Sequence, residues 1–312
     1  VATISGRINT SSETDFDSMA LNKKALRADF FLFIVALIWG ATFPLTTAAL
    51  NEISPYLLVT FRFGFAALFL LIWVFPKLKH TDTKVLFSGM ILGCLNAGVY
   101  LLQTTGMRHV DADTAAFIAS MGVVFVPLIS PFLKLNKVKR IEIAGTLICL
   151  VGLYVLTGAD FKHFTFDELL ILLAGFFWAA SVCYVQKVTP KIKQLDLLAF
   201  YQIVFILPTA AALSTIDYHL GPISPILVIT ILYTSLLATV AVFLIQVRYQ
   251  KETTATHAAI IYSLEPVLAS FIAIYVNDEA LTTRVIYGGG IILASIFMIE
   301  LIPQINKRIL KK

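Results

Sequence analysis

Apolar residues run through this chain in long blocks, each about the length needed to cross a bilayer as a helix. Ten such blocks can be drawn: residues 30–50, 55–75, 85–105, 114–133, 141–158, 168–188, 196–215, 223–249, 256–276 and 285–301. Pro, Asn, Asp or Gly mark most of the breaks between them. The eighth block is the longest, which predicts either tilt or a frayed start at Pro222 and Pro225. The fold class predicted is therefore all-α integral membrane, with ten transmembrane helices. Residues 1–29 differ: they are polar, rich in Ser and Thr, and carry Glu13, Asp15 and Asp17. They read as a disordered cytoplasmic extension with Met19 as an alternative start. They do not read as a signal peptide, lacking a basic region that leads straight into a short apolar core.

The polar positions then orient the blocks. Lys and Arg collect before the first span and in every second connection. Lys77, Lys79 and Lys84 follow the second span, and Lys134, Lys137, Lys139 and Arg140 follow the fourth. Lys187, Lys191 and Lys193 follow the sixth, Arg248 and Lys251 the eighth, and residues 302–312 form a basic tail. This side holds 19 basic residues against 3 on the other, Arg108, Lys162 and Arg284. By the positive-inside rule both termini are cytoplasmic and the number of spans is even.

Composition changes the picture only by excluding a soluble protein. Hydrophobic residues make up 58% of the chain and charged residues 14%, where a soluble domain carries about a quarter charged. The net charge of +5 sits in loops beside apolar spans. It reads as membrane orientation, and no nucleic-acid partner is expected. Cys94, Cys149 and Cys183 all lie inside apolar blocks without paired spacing, so they are expected to pack rather than form a disulfide or metal site.

The chain also repeats itself. Tyr100-Leu-Leu-Gln103 matches Phe243-Leu-Ile-Gln246 at an offset of 143, which also aligns Thr114-Ala-Ala-Phe117 with His257-Ala-Ala-Ile260, Ser120 with Ser263, and Gly145 with Gly288. Nearer the start of each half the offset slips. There Trp39-Gly-Ala-Thr42 matches Trp178-Ala-Ala-Ser181, and Leu57-Leu58 with Arg62 matches Leu197-Leu198 with Gln202. The halves are residues 30–158 and 159–301. Each holds five spans, an odd number, so they are inverted in the membrane. Inverted repeats that meet at a midplane site are the architecture of secondary transporters.

With these residues in view, the chain resembles the EamA branch of the drug/metabolite transporter superfamily. The resemblance rests on Trp39-Gly-Ala-Thr-Phe43, on Arg62-Phe63, and on the run from Thr256 through Leu264-Glu-Pro266. It also rests on Asn277-Asp-Glu279 before Gly288-Gly-Gly290. It covers nearly everything from residue 30 to residue 301. It implies two inverted five-helix repeats, with spans 1–4 and 6–9 around a central cavity and spans 5 and 10 more peripheral. The loop Lys134-Leu-Asn-Lys137 departs from the family by lacking the acid kept as Glu279.

Polar groups within hydrocarbon are costly and point to function. Glu265 lies about nine residues into the ninth span, near the midplane at about 1.5 Å per residue. It reads either as a substrate or proton site, or as a partner for backbone opened at Pro266. Arg62 reads as an anion site, a partner of Glu265, or a side chain snorkelling to the outer interface. Gln103 and Gln246 stand at equivalent positions and suit either substrate hydrogen bonds or helix packing. Asn96, Thr42, Tyr100, Ser181, Tyr184, Tyr201, Gln202, Tyr262 and Ser263 are further cavity candidates. Trp39 and Trp178 are expected to line a pore, whereas Trp73 suits the aromatic belt. His257, near the cytoplasmic end of the ninth span, is either a proton relay or a hydrated helix-end histidine. Gly89, Gly93 and Ala97 recur every fourth position and are expected to admit close helix approach.

The function read from this is a secondary transporter, an exporter or exchanger of a small metabolite such as an amino acid, working by alternating access. A lipid or nucleotide-sugar carrier and a multidrug exporter on the same fold remain alternatives. An intramembrane enzyme would need a nucleophile–base pair or metal ligands within the spans, and none is apparent. The sequence contains no Gly-x-x-x-x-Gly-Lys-Ser/Thr stretch, so no nucleotide-hydrolysing loop of that type is expected. No cofactor or metal is expected. The partners are the substrate and membrane lipids, with a homo-oligomer left open, and the location is the plasma membrane of a bacterium. If Glu265 couples protons to transport, Glu265→Gln abolishes gradient-driven uptake while sparing exchange in proteoliposomes. Equal loss of both in folded protein would sink that role.

Overall fold

A computed structural model describes residues 10–135, 138–157, 164–277 and 282–309. Asp278 and Glu279, Lys137, and Asp160, Lys162 and His163 lie outside the described residues. The regular structure is helical: α1 Thr10–Gly40, α2 Thr42–Ala49, α3 Pro55–Val74, α4 Thr83–Gly106, α5 Ala112–Ser120, α6 Phe125–Ile129, α7 Arg140–Thr157, and α8 Phe166–Val188. There follow α9 Leu195–Val204, α10 Leu207–Ser214, α11 Pro225–Ser235, α12 Val242–Tyr249, α13 Ala255–Tyr262, α14 Glu265–Asn277 and α15 Thr283–Ile309. Only one isolated bridge, Ile53 with Leu220, pairs extended backbone among the described residues.

Among the described residues, six helical runs are long and apolar enough to cross a membrane: Lys24–Ala49, Pro55–His80, Thr83–Gly106, Phe166–Lys191, Leu195–Ser214 and Pro225–Glu252. They coincide with expected spans one, two, three, six, seven and eight. Thr114–Ile129 and Thr283–Ile299 are shorter apolar helices. The expected ninth span is split between α13 and α14 by a turn at Ser263 and Leu264. The chain before the first span also differs from expectation, since α1 reaches back to Thr10. The run Met19-Ala-Leu-Asn-Lys-Lys-Ala-Leu-Arg-Ala28 is rich in strong helix formers, which lets the apolar helix propagate backwards instead of ending at the interface.

The helix breaks have a common cause. Proline lacks an N–H and its ring crowds the carbonyl four residues earlier, so a helix opens one turn before it. α1 ends at Gly40, four residues before Pro44, and α13 ends at Tyr262, four before Pro266. α9 ends at Val204, four before Pro208. Between α5 and α6 a 3₁₀ turn, Met121–Val124, spans Val123, four before Pro127. A fifth irregularity, a π-helical stretch at Leu236–Ala241 that joins α11 to α12, has no proline within it.

Close packing fills the space between these rods. In a bilayer, lipid is as apolar as Leu, so helices associate through tight contact more than through exclusion of water. α4 lies against α8 and α9. A Cβ added at Gly89 would sit 2.4 Å from the Cβ of Tyr201, and one at Gly93 would sit 2.4 Å from the Cβ of Phe205. The close approach expected of these glycines is borne out. α3 packs on α9, α10 and α11, while α1 and α2 pack on α11 to α14. α7 and α15 pair with each other along their length. Outward faces stay apolar: Phe65, Leu68, Phe69 and Ile72 form an exposed stripe on α3 at helical spacing. Trp73 is exposed, with the Lys77 ammonium over its ring at 5.7 Å, as a membrane-belt residue should be. All three cysteines are free; Cys149 and Cys183 are buried, but Cys94 is exposed on α4.

The α7–α15 seam gives a direct test. A Cβ at Gly288 would fall 2.5 Å from the backbone of Leu156, whereas one at Gly290 would meet nothing within 4 Å. Gly288→Ala is therefore expected to destabilise the protein by about 1–3 kcal/mol through overpacking. Gly290→Ala should be neutral or stabilising by up to about 1 kcal/mol, because alanine is the better helix former. Melting temperatures of the two variants in one detergent compare them directly.

Candidate functional site

Three of the opened helix turns converge on one place. Gly40, where α1 ends, lies against α14 so closely that a Cβ there would be 3.0 Å from the Glu265 carbonyl oxygen. Gly122, in the 3₁₀ turn, stands in the same way against α8, with a Cβ there 2.8 Å from the Gly175 carbonyl oxygen. Between these two junctions is a small cavity of about 50 Å³. Its wall takes Trp39, Thr42 and Phe43 from the first break, Ala119 and Ser120 from the turn before Met121, and Tyr262, Ser263 and Glu265 from the α13–α14 break. Arg62 on α3, Val99, Tyr100 and Gln103 on α4, and Gly175 and Trp178 on α8 complete it.

Aromatic rings form two clusters at the cavity, one on its wall and one that reaches it through Tyr100. Tyr262 is flanked by Trp39 at 5.3 Å and Trp178 at 5.9 Å between centroids. The structure places both tryptophans on the cavity wall. Tyr100, Phe63 and Phe243 form the second cluster, with centroid separations of 4.8 to 6.4 Å. Such tilted pairs keep ring edges against ring faces, the arrangement that the aromatic quadrupole favours.

Arg62 is buried and held from three directions. Its Nε donates to Thr239 Oγ1 at 2.9 Å, its Nη2 donates to the Ala238 carbonyl at 3.1 Å, and its guanidinium carbon lies 4.4 Å from the Tyr100 ring centre. The Trp39 indole donates to the same Ala238 carbonyl at 3.3 Å. Ala238 and Thr239 belong to the π-helical stretch. Widening a helix to i→i+5 bonding loosens the carbonyls of that turn, and here side chains from α1 and α3 occupy one of them. Arg62 does not snorkel outward.

Glu265 faces the same cavity and interacts electrostatically with Arg62 and Tyr100, without a direct ion-pair contact to either. The 143-residue offset that aligns Ser120 with Ser263 lands on Gly122 for Glu265. The cavity wall thus holds a guanidinium and a carboxyl group between aromatic faces. That arrangement can hold a small molecule carrying both charges and an apolar body. Nothing in the wall supplies a nucleophile–base pair, and among the described residues no cluster of His, Cys, Asp and Glu could hold a metal.

Other candidates lie elsewhere. Asn96 and Gln202 are buried between α4, α8 and α9, where Ser181 Oγ donates to Asn96 Oδ1 at 2.8 Å and Asn96 Nδ2 donates to Gln202 Oε1 at 3.3 Å. Tyr201 bonds Thr81 at 3.0 Å near the basic ends of the helices. Tyr184 is half-buried against the core and does not reach the cavity. Gln246 is buried behind the wall, beside the Tyr262 hydroxyl, so its symmetry with Gln103 does not extend to a shared lining. His257 is outside the cavity too, with Nε2 3.4 Å from Asp29 Oδ1.

Asp29, Thr239 and the Ala238 carbonyl were not among the sequence candidates. Thr239 was findable, since the repeat offset aligns it with Asn96. Asp29 is the acid that immediately precedes the first apolar block. The Ala238 carbonyl has no sequence signal, because no proline marks the π-helical turn.

At the basic ends the helices are tied together. Lys77 pairs with Asp196, Arg27 pairs with Glu252 at 3.3 Å, and Gln250 Nε2 donates to the Val182 carbonyl at 2.7 Å. The cavity occupies the middle of the helices and the half away from these ties: Arg62 is seven residues from the start of α3 and Gln103 three from the end of α4.

Comparison with known proteins places these features in a family. The sequence model of the EamA-like transporter family matches twice, over residues 26–158 and 165–301. An uncharacterized transporter of Archaeoglobus fulgidus is 32% identical over 89% of this chain and 87% of its own length. A probable amino-acid metabolite efflux pump of Salmonella typhimurium is 23% identical over 87% of this chain and 94% of its own length. A protein of known crystal structure shares the fold, with a TM-score of 0.70 at 18% identity, over 88% of this chain and 96% of that one.

The anchoring of Arg62 is testable by itself. Thr239→Val removes one hydrogen bond to a charged group, worth about 1.5–3 kcal/mol, without changing side-chain shape. The melting temperature is expected to fall by roughly 3–10 °C. Thr239→Ser keeps the hydroxyl and should lie close to the parent; equal falls for both would show that the hydroxyl carries no such bond.

Proposed function

The chain belongs to the EamA-like transporter family, and on that premise we propose that it carries a zwitterionic metabolite, an amino acid or a close relative, by alternating access. It is a multi-pass membrane transporter. The observation that carries the substrate class is that the Arg62 guanidinium and the Glu265 carboxyl group line one cavity without being bonded to each other. Arg62 would take the substrate carboxylate, since its fork is already oriented by Thr239 and Ala238. Glu265 would take the ammonium. The Trp39–Tyr262–Trp178 wall would cover the side chain. The relative named as a probable amino-acid metabolite efflux pump fits this class.

The architecture belonging to this proposal is ten spans in two inverted five-helix repeats. Both termini are cytoplasmic in a bacterial inner membrane, and transport runs as export or exchange. Two observations support it beyond the charge alternation. The family matches twice along the chain. The packing also survives exchange of the halves: α4 lies on α8 as α11 and α12 lie on α1 and α2, and α7 pairs with α15. The ties at the basic ends support an outward-facing state, with the cytoplasmic side closed.

A wall with a single cation suits a carboxylate better than a diphosphate, which sets the nucleotide-sugar reading second. The test is counterflow in proteoliposomes preloaded with unlabelled amino acids, assayed with a radiolabelled amino-acid mixture. Accumulation is expected, and Arg62→Gln should weaken apparent affinity at least tenfold while the protein keeps its thermal transition. Absence of counterflow by folded parent protein with every amino acid would overturn the proposal.

A further inference from the structure

The cluster that holds Arg62 has a counterpart at the other end of the molecule. Arg62 is the seventh residue after the start of α3 at Pro55, and Gln202 is the seventh after the start of α9 at Leu195. Thr239, which accepts from Arg62, aligns with Asn96, which donates to Gln202. Thr42 aligns with Ser181, which closes the second cluster by donating to Asn96. Two hydrogen-bonded clusters thus occupy equivalent places, each about 10 Å from one end of its helix at 1.5 Å per residue. The first cluster, through Thr42 and Arg62, lines the central cavity.

The second cluster is incomplete. Gln202 is fully buried and its Nε2 has no hydrogen-bond partner, whereas Arg62 uses two of its nitrogens on protein. Turning both amides over would reverse the bonds between Gln202 and Asn96 and still leave one Gln202 atom unpaired. A buried amide left without a partner costs about 1–3 kcal/mol and calls for an explanation. Its surroundings are sealed by Gly89 and Gly93 against α9, by Thr81 on Tyr201, and by Lys77 on Asp196.

We infer that Ser181, Asn96 and Gln202 are a second substrate site, which receives the carboxylate of the zwitterion on amide donors when the cavity opens at the basic ends of the helices. The inference rests on the proposed carrier function. The partner missing from Gln202 is supplied by the substrate in that state, as Arg62 meets it in this one. The second site carries no formal charge, so it holds the carboxylate less tightly than Arg62 does.

The test uses the full chain with Cys94, Cys149 and Cys183 replaced by alanine, carrying Gln202→Cys, Ser181→Cys or Thr42→Cys one at a time. Labelling is measured with a membrane-impermeant maleimide in right-side-out and inside-out vesicles. Ser181→Cys changes a single atom and guards against a misfolded Gln202→Cys. Thr42→Cys is expected to label from the outer side. Ser181→Cys and Gln202→Cys are expected to label from the cytoplasmic side, at rates cut at least threefold by a saturating amino acid that shows counterflow. Labelling of Thr42→Cys with neither of the other two reacting from the cytoplasm overturns the second site and leaves the carrier proposal standing. If Thr42→Cys also fails to react, the cavity reading itself falls, and the inference with it.

Discussion

A backbone carbonyl inside hydrocarbon must find a donor within the protein, because no water is there to supply one. Much of this molecule follows from that requirement. Four prolines open helices one turn upstream, at Gly40, Val123, Val204 and Tyr262, and a π-helical stretch loosens a fifth place at Ala238. Three of the proline-opened turns and the π-helical turn gather around the central cavity. Their backbone groups are met locally, as Thr42 meets the Trp39 carbonyl, or by side chains from other helices, as Arg62 and Trp39 meet Ala238.

The same requirement accounts for the charge at the centre. A guanidinium in a bilayer is costly unless its donors are used. Thr239, Ala238 and the Tyr100 ring use them while the cavity keeps one face open. Glu265 sits on a helix start pressed against Gly40, where any larger residue would push the Glu265 backbone away. Its counterpart in the first half is a glycine, Gly122, which does the same close packing against Gly175 without a charge. The repeat thus preserves the junctions between helices and varies the chemistry placed at them.

Legibility in the sequence divided along a physical line. Depth along a helix was readable, because it depends on counting from the loops. Glu265 and Arg62 were read by their depth in their spans as membrane-embedded, and they line the cavity together with the candidates Trp39, Tyr100 and Gln103. Azimuth was not readable. In a membrane both the lipid face and the protein face of a helix are apolar, so no stripe of polarity says which way a residue points. Asn96, Gln202 and Gln246 have the depth of cavity residues, yet turn toward neighbouring helices. The ninth span was read as continuous although its Glu-Pro pair marked the turn where it opens.

The chain alone determined that this is a membrane protein built of apolar helices, and that its two halves match one family model each; of the ten spans it suggested, six are long and apolar enough to cross among the described residues. Hydropathy, loop charge and internal similarity are all properties of order along the chain, so order suffices to read them. Only the tertiary structure decided which polar residues share a cavity, that Arg62 and Glu265 face it without bonding each other, and that Ala238 offers the carbonyl that anchors the arginine. Those facts depend on the rotation of each rod against its neighbours. That rotation is set by glycine contacts and opened turns between residues far apart in the chain.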